Sequence, residues 1–298
     1  MGSKTILLTG GTGYLGSRIL KQLVDEGYKI ILLKRSFSNI GCIIESINKF
    51  AFYNIDSTPL ETVFSENRID VIIHCATNYG RRENDPIQVI EANLVLPLKL
   101  LELGKKYGVT SFINTDTILD KRINYYSLSK KQFKDWLFAY KHDYTCINVA
   151  LEHFYGSGDD DTKFVTHIIH NLLQNVDKID LTKGEQKRDF IYIDDVVNAF
   201  IKIINSLDQF SKDYYEFEVG TSHPLSLKEF VELAKQLSGN THTHLNFGVI
   251  PYRENEVMDY KVNTTEILKL GWKCNYTVII GLTKTIQLEK QLLSRCST

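Results

Sequence analysis

Residues 114–131 read NTDTILDKRINYYSLSKK, which sets two adjacent tyrosines shortly before two adjacent lysines and, upstream, a carboxylate between two threonines. A phenol whose pKa is about 10 when free protonates a substrate oxygen near neutral pH only if that pKa is lowered, and a nearby ammonium does this. On a helix the partner must lie three or four residues away to share a face. At that spacing Tyr125 meets Leu128 and Ser129, whereas Tyr126 meets Lys130; of the sixteen tyrosines only Tyr126 has a lysine four residues on. The pair opens the stretch 126–142, after the apolar run SFINTD, whose carboxyl end should border a cofactor crevice. Tyr126 is the candidate acid.

A second constellation lies near the amino terminus, where LLTGGTGYLGSRIL carries Gly10, Gly13 and Gly16. A phosphate needs close backbone approach, N–H donors and the positive end of a helix, and glycines three residues apart supply these. At the head of an alternating strand–helix chain the loop implies a dinucleotide. An NAD site usually has an acidic residue at the end of the second strand, but here that end reads LLKRS. Lys34, Arg35 and Ser36 can bind a 2′-phosphate through charge-assisted bonds, so the expected cofactor is NADP(H); a solvated basic turn is the other reading. Asp56, after FAFYNI, either accepts from the adenine amino group or is an exposed strand-end carboxylate.

These groups need a scaffold, and the first half of the chain supplies its rhythm. Short runs rich in Ile and Val (TILLTG, KIILLK, FAFYNID, DVIIHCAT, SFINTD, TCINVAL) alternate with the amphipathic stretches 15–27, 87–107 and 126–142. The fold class is α/β, a doubly wound parallel Rossmann sheet with a smaller, interleaved C-terminal substrate-binding lobe. Residues 1–155 should form the dinucleotide-binding domain, its sheet completed by about 186–222, where YYEFEVG reads as a late strand; 156–185 and 223–298 should form the lobe, with helices near 226–238 and 279–293. The stretch 87–107 is apolar nearly all round, so it should be covered on more than one side, by the sheet or by a second subunit, and Pro97 should kink it.

Charge and composition remove other classes. Hydrophobic residues make up 43% and charged residues 24%, which suits a globular protein, and a net charge of -1 leaves no footprint for nucleic acid. No apolar run approaches the roughly 20 residues that span a bilayer, and the few residues before TILLTG are too short for a signal peptide, so the expected location is cytoplasmic. The five cysteines are read as reduced core thiols rather than disulfides or zinc ligands. No metal site is expected: Asp194 and Asp195 read as a helix cap, the GDDD run at 158–161 as a solvated loop, and His167 with His170 lacks a third ligand. His153, after a strand end, is either a substrate contact or a structural histidine.

The glycine loop and the Tyr126–Lys130 pair together resemble the extended short-chain dehydrogenase/reductase family of sugar-nucleotide epimerases, dehydratases and reductases. The segments HCAT (74–77), Asn93, FYGSG (154–158), RDFIYIDDVV (188–197) and YREN with Glu256 and Val257 stand where that family has its landmarks. The resemblance implies that Tyr126 transfers the proton, Lys130 binds the nicotinamide ribose and lowers the tyrosine pKa, and Thr115 hydrogen-bonds the reacting oxygen. It also implies that Gly10, Thr12, Gly13, Tyr14, Leu15, Gly16, Ile55, Asp56, Ala76 and Asn93 line the cofactor. Thr77, Asp116, His153, Phe164, Arg188 and Arg253 would face the substrate, the two arginines on its diphosphate. The family's 4,6-dehydratases carry Thr-Asp-Glu where this chain has Thr115, Asp116 and Thr117, so the base for dehydration is missing. Segments such as LEHFYGSGDDDTKF and TKGEQKRDFIYIDDVVNAF resemble the subgroup of CDP-abequose and CDP-paratose synthases. That implies NADPH-dependent reduction of the C4 ketone of CDP-4-keto-3,6-dideoxyglucose, for O-antigen or other polysaccharide sugars, by a homodimer. A nucleotide-sugar 4-epimerase with tightly bound NAD and a non-catalytic NADP-binding regulator are the alternatives.

Overall fold

A computed structural model describes residues 4–81 and 85–296, with side chains to 294. The chain divides into two compact units, one of Met1–Leu151, Val197–Glu218 and Lys269–Gly271, the other of Glu152–Val196, Val219–Leu268 and Trp272–Thr298.

In the first unit the apolar runs become strands β1 (Thr5–Thr9), β2 (Lys29–Lys34), β3 (Ala51–Asn54), β4 (Val71–His74), β5 (Ser111–Thr117) and β6 (Thr145–Leu151). They lie in the order β6-β5-β4-β1-β2-β3, each neighbouring pair parallel, and the late strand Asp213–Val219 joins beyond β6. β5 and β6 are buried at every residue, which explains why neither shows apolar–polar alternation. The order reverses between β1 and β4, the position at which open α/β sheets bind ligands. Helices α1 (Tyr14–Asp25), α2 (Leu60–Glu66), α3 (Pro86–Ile90), α4 (Leu96–Lys106) and α5 (Tyr125–Ala139) provide the crossovers.

The stretch 87–107 is not one kinked helix. α3 passes into a π-helical turn, Glu91–Val95, and then into α4, with Pro97 in the first turn of α4. Proline has no N–H to offer the carbonyl four residues back, and the wider register absorbs that loss. The turn points Asn93 into the protein, where it is fully buried. Its Oδ1 accepts from Asn78 N–H at 2.8 Å, and its Nδ2 donates to the Asn78 carbonyl and to Ser129 Oγ. The loop after β4 is thereby tied to α5.

A row of polar side chains crosses the sheet at one register: Thr9, His74, Asn114 and Asn148, all essentially buried. Thr9 Oγ1 lies 2.8 Å from His74 Nδ1, and Asn114 Nδ2 donates to Asn148 Oδ1 at 2.8 Å. Among the described residues His74 Nε2 and Asn114 Oδ1 are buried without a hydrogen-bond partner.

The second unit contains three two-stranded pairings and the helices Phe164–Leu173, Leu227–Ser238 and Val278–Cys296. The strand Phe190–Tyr192 pairs with His153–Tyr155 here rather than joining the large sheet. Asp194 and Asp195 do not cap a helix from outside it; they sit in the first turn of Ile193–Asn205. Asp195, fully buried, accepts from the N–H groups of Asn275 and Tyr276 and so anchors that segment. The cysteines are not all core thiols: Cys146 is buried, Cys75 half-buried, and Cys42 and Cys274 exposed, while the Cys296 side chain lies outside the described residues.

Candidate active site

The glycine loop leaves β1 and enters α1. Gly10 has φ +72°, and a Cβ there would come within 2.5 Å of Ala76 N; a Cβ on Gly16 would lie 2.1 Å from the Gly10 carbonyl oxygen. Gly13 is the N-cap of α1, and no side chain caps the helix. The loop with Thr12, Tyr14 and Leu15 thus offers a bare helix N-terminus, which fits a dinucleotide diphosphate. Ala76 N–H donates to Thr9 Oγ1, closing β4 against β1.

At the end of β2 the three expected phosphate ligands have different fates. Lys34 Nζ donates to Asn54 Oδ1 at 2.7 Å and lies over the Phe52 ring. Arg35 is exposed beside the Phe37 ring. Ser36 is engaged, its N–H and its hydroxyl donating to the two oxygens of Asp56. These bonds, the hydroxyl's above all, hold the Asp56 carboxyl below its usual range, with Lys34 adding a smaller pull. An ionised carboxylate therefore stands at the β2 end in space, although its sequence position, next to Ile55 after β3, hid it.

The chemistry-bearing segment spans β5 and α5. Asn124 caps α5 reciprocally: its Oδ1 accepts from Ser127 N–H at 2.8 Å, and its own N–H donates to Ser127 Oγ. This starts the helix beside the tyrosines, leaving Tyr125 47% exposed while Tyr126 turns inward. Tyr126 packs its ring 4.8 Å from that of Tyr79, over which the Arg81 guanidinium lies. Its hydroxyl has a pKa well above the ordinary value, chiefly through burial, with Tyr79 and Asp116 adding to the rise; a hydrogen bond from Thr117 and the charge of Arg81 oppose it.

Lys130 lies one helical turn further along α5. Its ammonium donates to the Thr115 carbonyl at 2.9 Å, and burial brings its own pKa down to about 8. Burial leaves Tyr126 a neutral phenol with a raised pKa, the reverse of the lowering expected from the four-residue pair. Thr115 Oγ1 sits 3.2 Å from Cys75 Sγ, a thiol that burial pushes up to about 11. Thr77 is half-buried after β4.

Asp116 is engaged within the protein. It is 2% exposed, its Oδ1 accepts from Thr117 N–H, and its Oδ2 accepts from Asn148 Nδ2 at 3.0 Å and Lys131 Nζ at 3.2 Å. Tyr79, Arg81, Thr117, Lys131 and Asn148 were not foreseen. For Asn148 a signal existed, a polar residue in the middle of the otherwise apolar TCINVAL.

In the second unit His153 Nδ1 pairs with Glu152 Oε2 at 3.0 Å. Phe164 opens its helix with its ring 6.5 Å from that of Phe230. The Arg188 guanidinium is engaged by Glu256 and the Val257 carbonyl, while Arg253 is exposed. Among the described residues no cluster of three or more His, Cys, Asp or Glu could hold a metal, and no helix is long and apolar enough to cross a membrane.

The family model "NAD dependent epimerase/dehydratase family" matches residues 6–220, which include the glycine loop, β5 and Tyr126. The chain belongs to that family. CDP-abequose synthase of Salmonella muenchen is 34% identical over 97% of this chain and 99% of its own, and the Salmonella typhimurium enzyme of that name is 32% identical over 95% and 97%. UDP-glucose 4-epimerase of Thermotoga maritima, solved with UDP-glucose, superposes with a TM-score of 0.83 over 97% of this chain and 99% of its own at 23% identity. UDP-glucuronic acid 4-epimerase of Bacillus cereus does so with 0.84 over 97% and 99% at 20%. The last two share the fold of this epimerase/dehydratase chain, a seven-stranded Rossmann sheet.

Proposed function

We propose that this nucleotide-sugar enzyme is an NADPH-dependent 4-ketoreductase whose substrate is CDP-4-keto-3,6-dideoxyglucose. The observation that carries the reading is Tyr126, turned inward at the start of α5 with its ring against Tyr79, in the unit that also bears the glycine loop. A reduced nicotinamide dinucleotide bound at that loop supplies hydride. As charge develops on the C4 oxygen, Tyr126 gives it a proton, and Thr115, once its hydroxyl turns from Cys75, donates a second hydrogen bond. Lys130, an ammonium near neutral pH, holds the ribose. Arg188 and Arg253 bind the diphosphate, for which Arg188 exchanges Glu256 for phosphate oxygens. The likeness to the CDP-abequose synthases supports the CDP-sugar and its place in O-antigen sugar synthesis. A cytoplasmic homodimer completes the reading.

A second reading, a 4-epimerase that keeps NAD bound, has one observation in its favour: the ionised Asp56 beside Ser36 would repel a 2′-phosphate. Purified protein supplied with the ketosugar and either NADPH or NADH separates the two. Ketosugar-dependent oxidation of added NADPH is expected. Tightly retained NAD and interconversion of C4 epimers without added cofactor would reject the reductase.

A further inference from the structure

The second lysine of the pair, Lys131, is not used by the reaction above, yet it reaches the strand end that carries the chemistry. Its Nζ donates to the Thr117 carbonyl at 2.5 Å and to Asp116 Oδ2 at 3.2 Å, the Asp116 side chain having no solvent exposure. Asp116 Oδ2 also accepts from Asn148 on β6, and its Oδ1 from Thr117 N–H. The ionisable groups that act on or feel this carboxylate are Lys131, Lys130 and Tyr126 on α5 and Tyr214 on the strand Asp213–Val219. Asn114, the neighbour on the same side of β5, is neutral.

We propose that Lys131 is a positioning residue for the proton donor: it pairs with the Asp116 carboxylate, so that the charge left on the Tyr126 oxygen when its proton passes to the substrate oxygen is opposed less by that anion. The proposal rests on the reading of Tyr126 as that donor. A bare carboxylate in the same buried region penalises a phenolate, because like charges in a low-dielectric site interact strongly. Pairing with Lys131 offsets part of that penalty at the moment the proton moves. The Thr117 carbonyl fixes the ammonium in place for this.

The test is a pair of variants, Lys131→Met and the charge-balanced Asp116→Asn/Lys131→Met. In the single variant the buried Asp116 carboxylate is left without its counter-charge, which favours its protonated form. Its kcat should fall roughly ten- to a hundredfold at alkaline pH. The deficit should shrink as pH drops and the carboxyl takes up a proton, with KM and NADPH fluorescence titration unchanged. The double variant should recover kcat and lose this pH dependence. Infrared spectroscopy gives a readout independent of turnover: near neutral pH the single variant should show the carbonyl band of a protonated, buried carboxylic acid that wild type and double variant lack. An unchanged kcat, a deficit equal at every pH that the double variant keeps, or no such band would overturn the proposal. Should the single variant fail to fold, an inactive but folded double variant overturns it as well. A wild type that reduces no ketosugar instead rejects the reaction, while the infrared comparison still decides whether Lys131 pairs with Asp116.

Discussion

Tyr126 and Tyr125 are adjacent and chemically identical, and their surroundings make them different. Tyr126 is half-buried against Tyr79 and takes a hydrogen bond from Thr117, whereas Tyr125 is 47% exposed. Tyr126→Phe keeps the ring and removes the proton source, so kcat should fall by roughly two to four orders of magnitude with NADPH binding unchanged. Tyr125→Phe should do far less; steady-state kinetics with fluorescence titration of NADPH check both, and loss of turnover in the Tyr125 variant alone would reverse the assignment. Spacing set Tyr126 apart from Tyr125 in the sequence, because helical periodicity fixes which side chains share a face. It could not show where Lys130 ends, since a long flexible stem chooses among acceptors that only the fold assembles. Nor could it show that Asp116 is consumed by Lys131 and Asn148, groups 15 and 32 residues away.

At the level of elements, the buried strands and the glycine loop were readable because each carries a local physical demand: a largely apolar run for β4 and β6, and absence of a Cβ for the loop. Gly16→Ala should therefore destabilise the protein by about 1–3 kcal/mol, the usual scale of overpacking, and weaken NADPH binding. Gly27→Ala has nothing within 4 Å of the new Cβ, so it meets only the backbone cost of φ +82° and should leave NADPH binding intact. Urea denaturation and fluorescence titration distinguish them; equal NADPH losses would contradict the role given to the loop. The π-helical turn was not readable. Apolar residues nearly all round 87–107 hid the turn, and its inward residue, Asn93, stood out only through the family resemblance.

For the molecule as a whole, the buried His74 makes stability depend on pH. Burial, reinforced by Lys130, holds its pKa well below 6.5, so the folded protein keeps it neutral while the unfolded chain protonates it below about that pH. Its contribution is complete above pH 6.5 and is lost as pH falls, at up to about 1.4 kcal/mol per pH unit for one group. His74→Gln should flatten that slope in urea denaturation between pH 7.5 and 5 (roughly the range over which a histidine titrates); an unaltered slope would assign the loss to other groups. The proposed dimer has candidate surface on α3 and α5, which pack side by side and expose Ile87, Ile90, Leu128 and Trp136. Trp136→Glu should dissociate it, whereas Leu101, fully buried in the core, would unfold the chain if charged. Light scattering measures both, and a wild type at the 34.3 kDa of one chain would end the dimer reading. The strand Asp213–Val219 flanks β6 but leaves the ribosome long after it. At roughly 5–20 residues per second, β6 is a bare edge on the nascent chain for several seconds, with Glu152–Val196 emerging meanwhile. The stretch TCINVAL is thus the natural point for a chaperone to hold during synthesis, and the place where truncated products would aggregate.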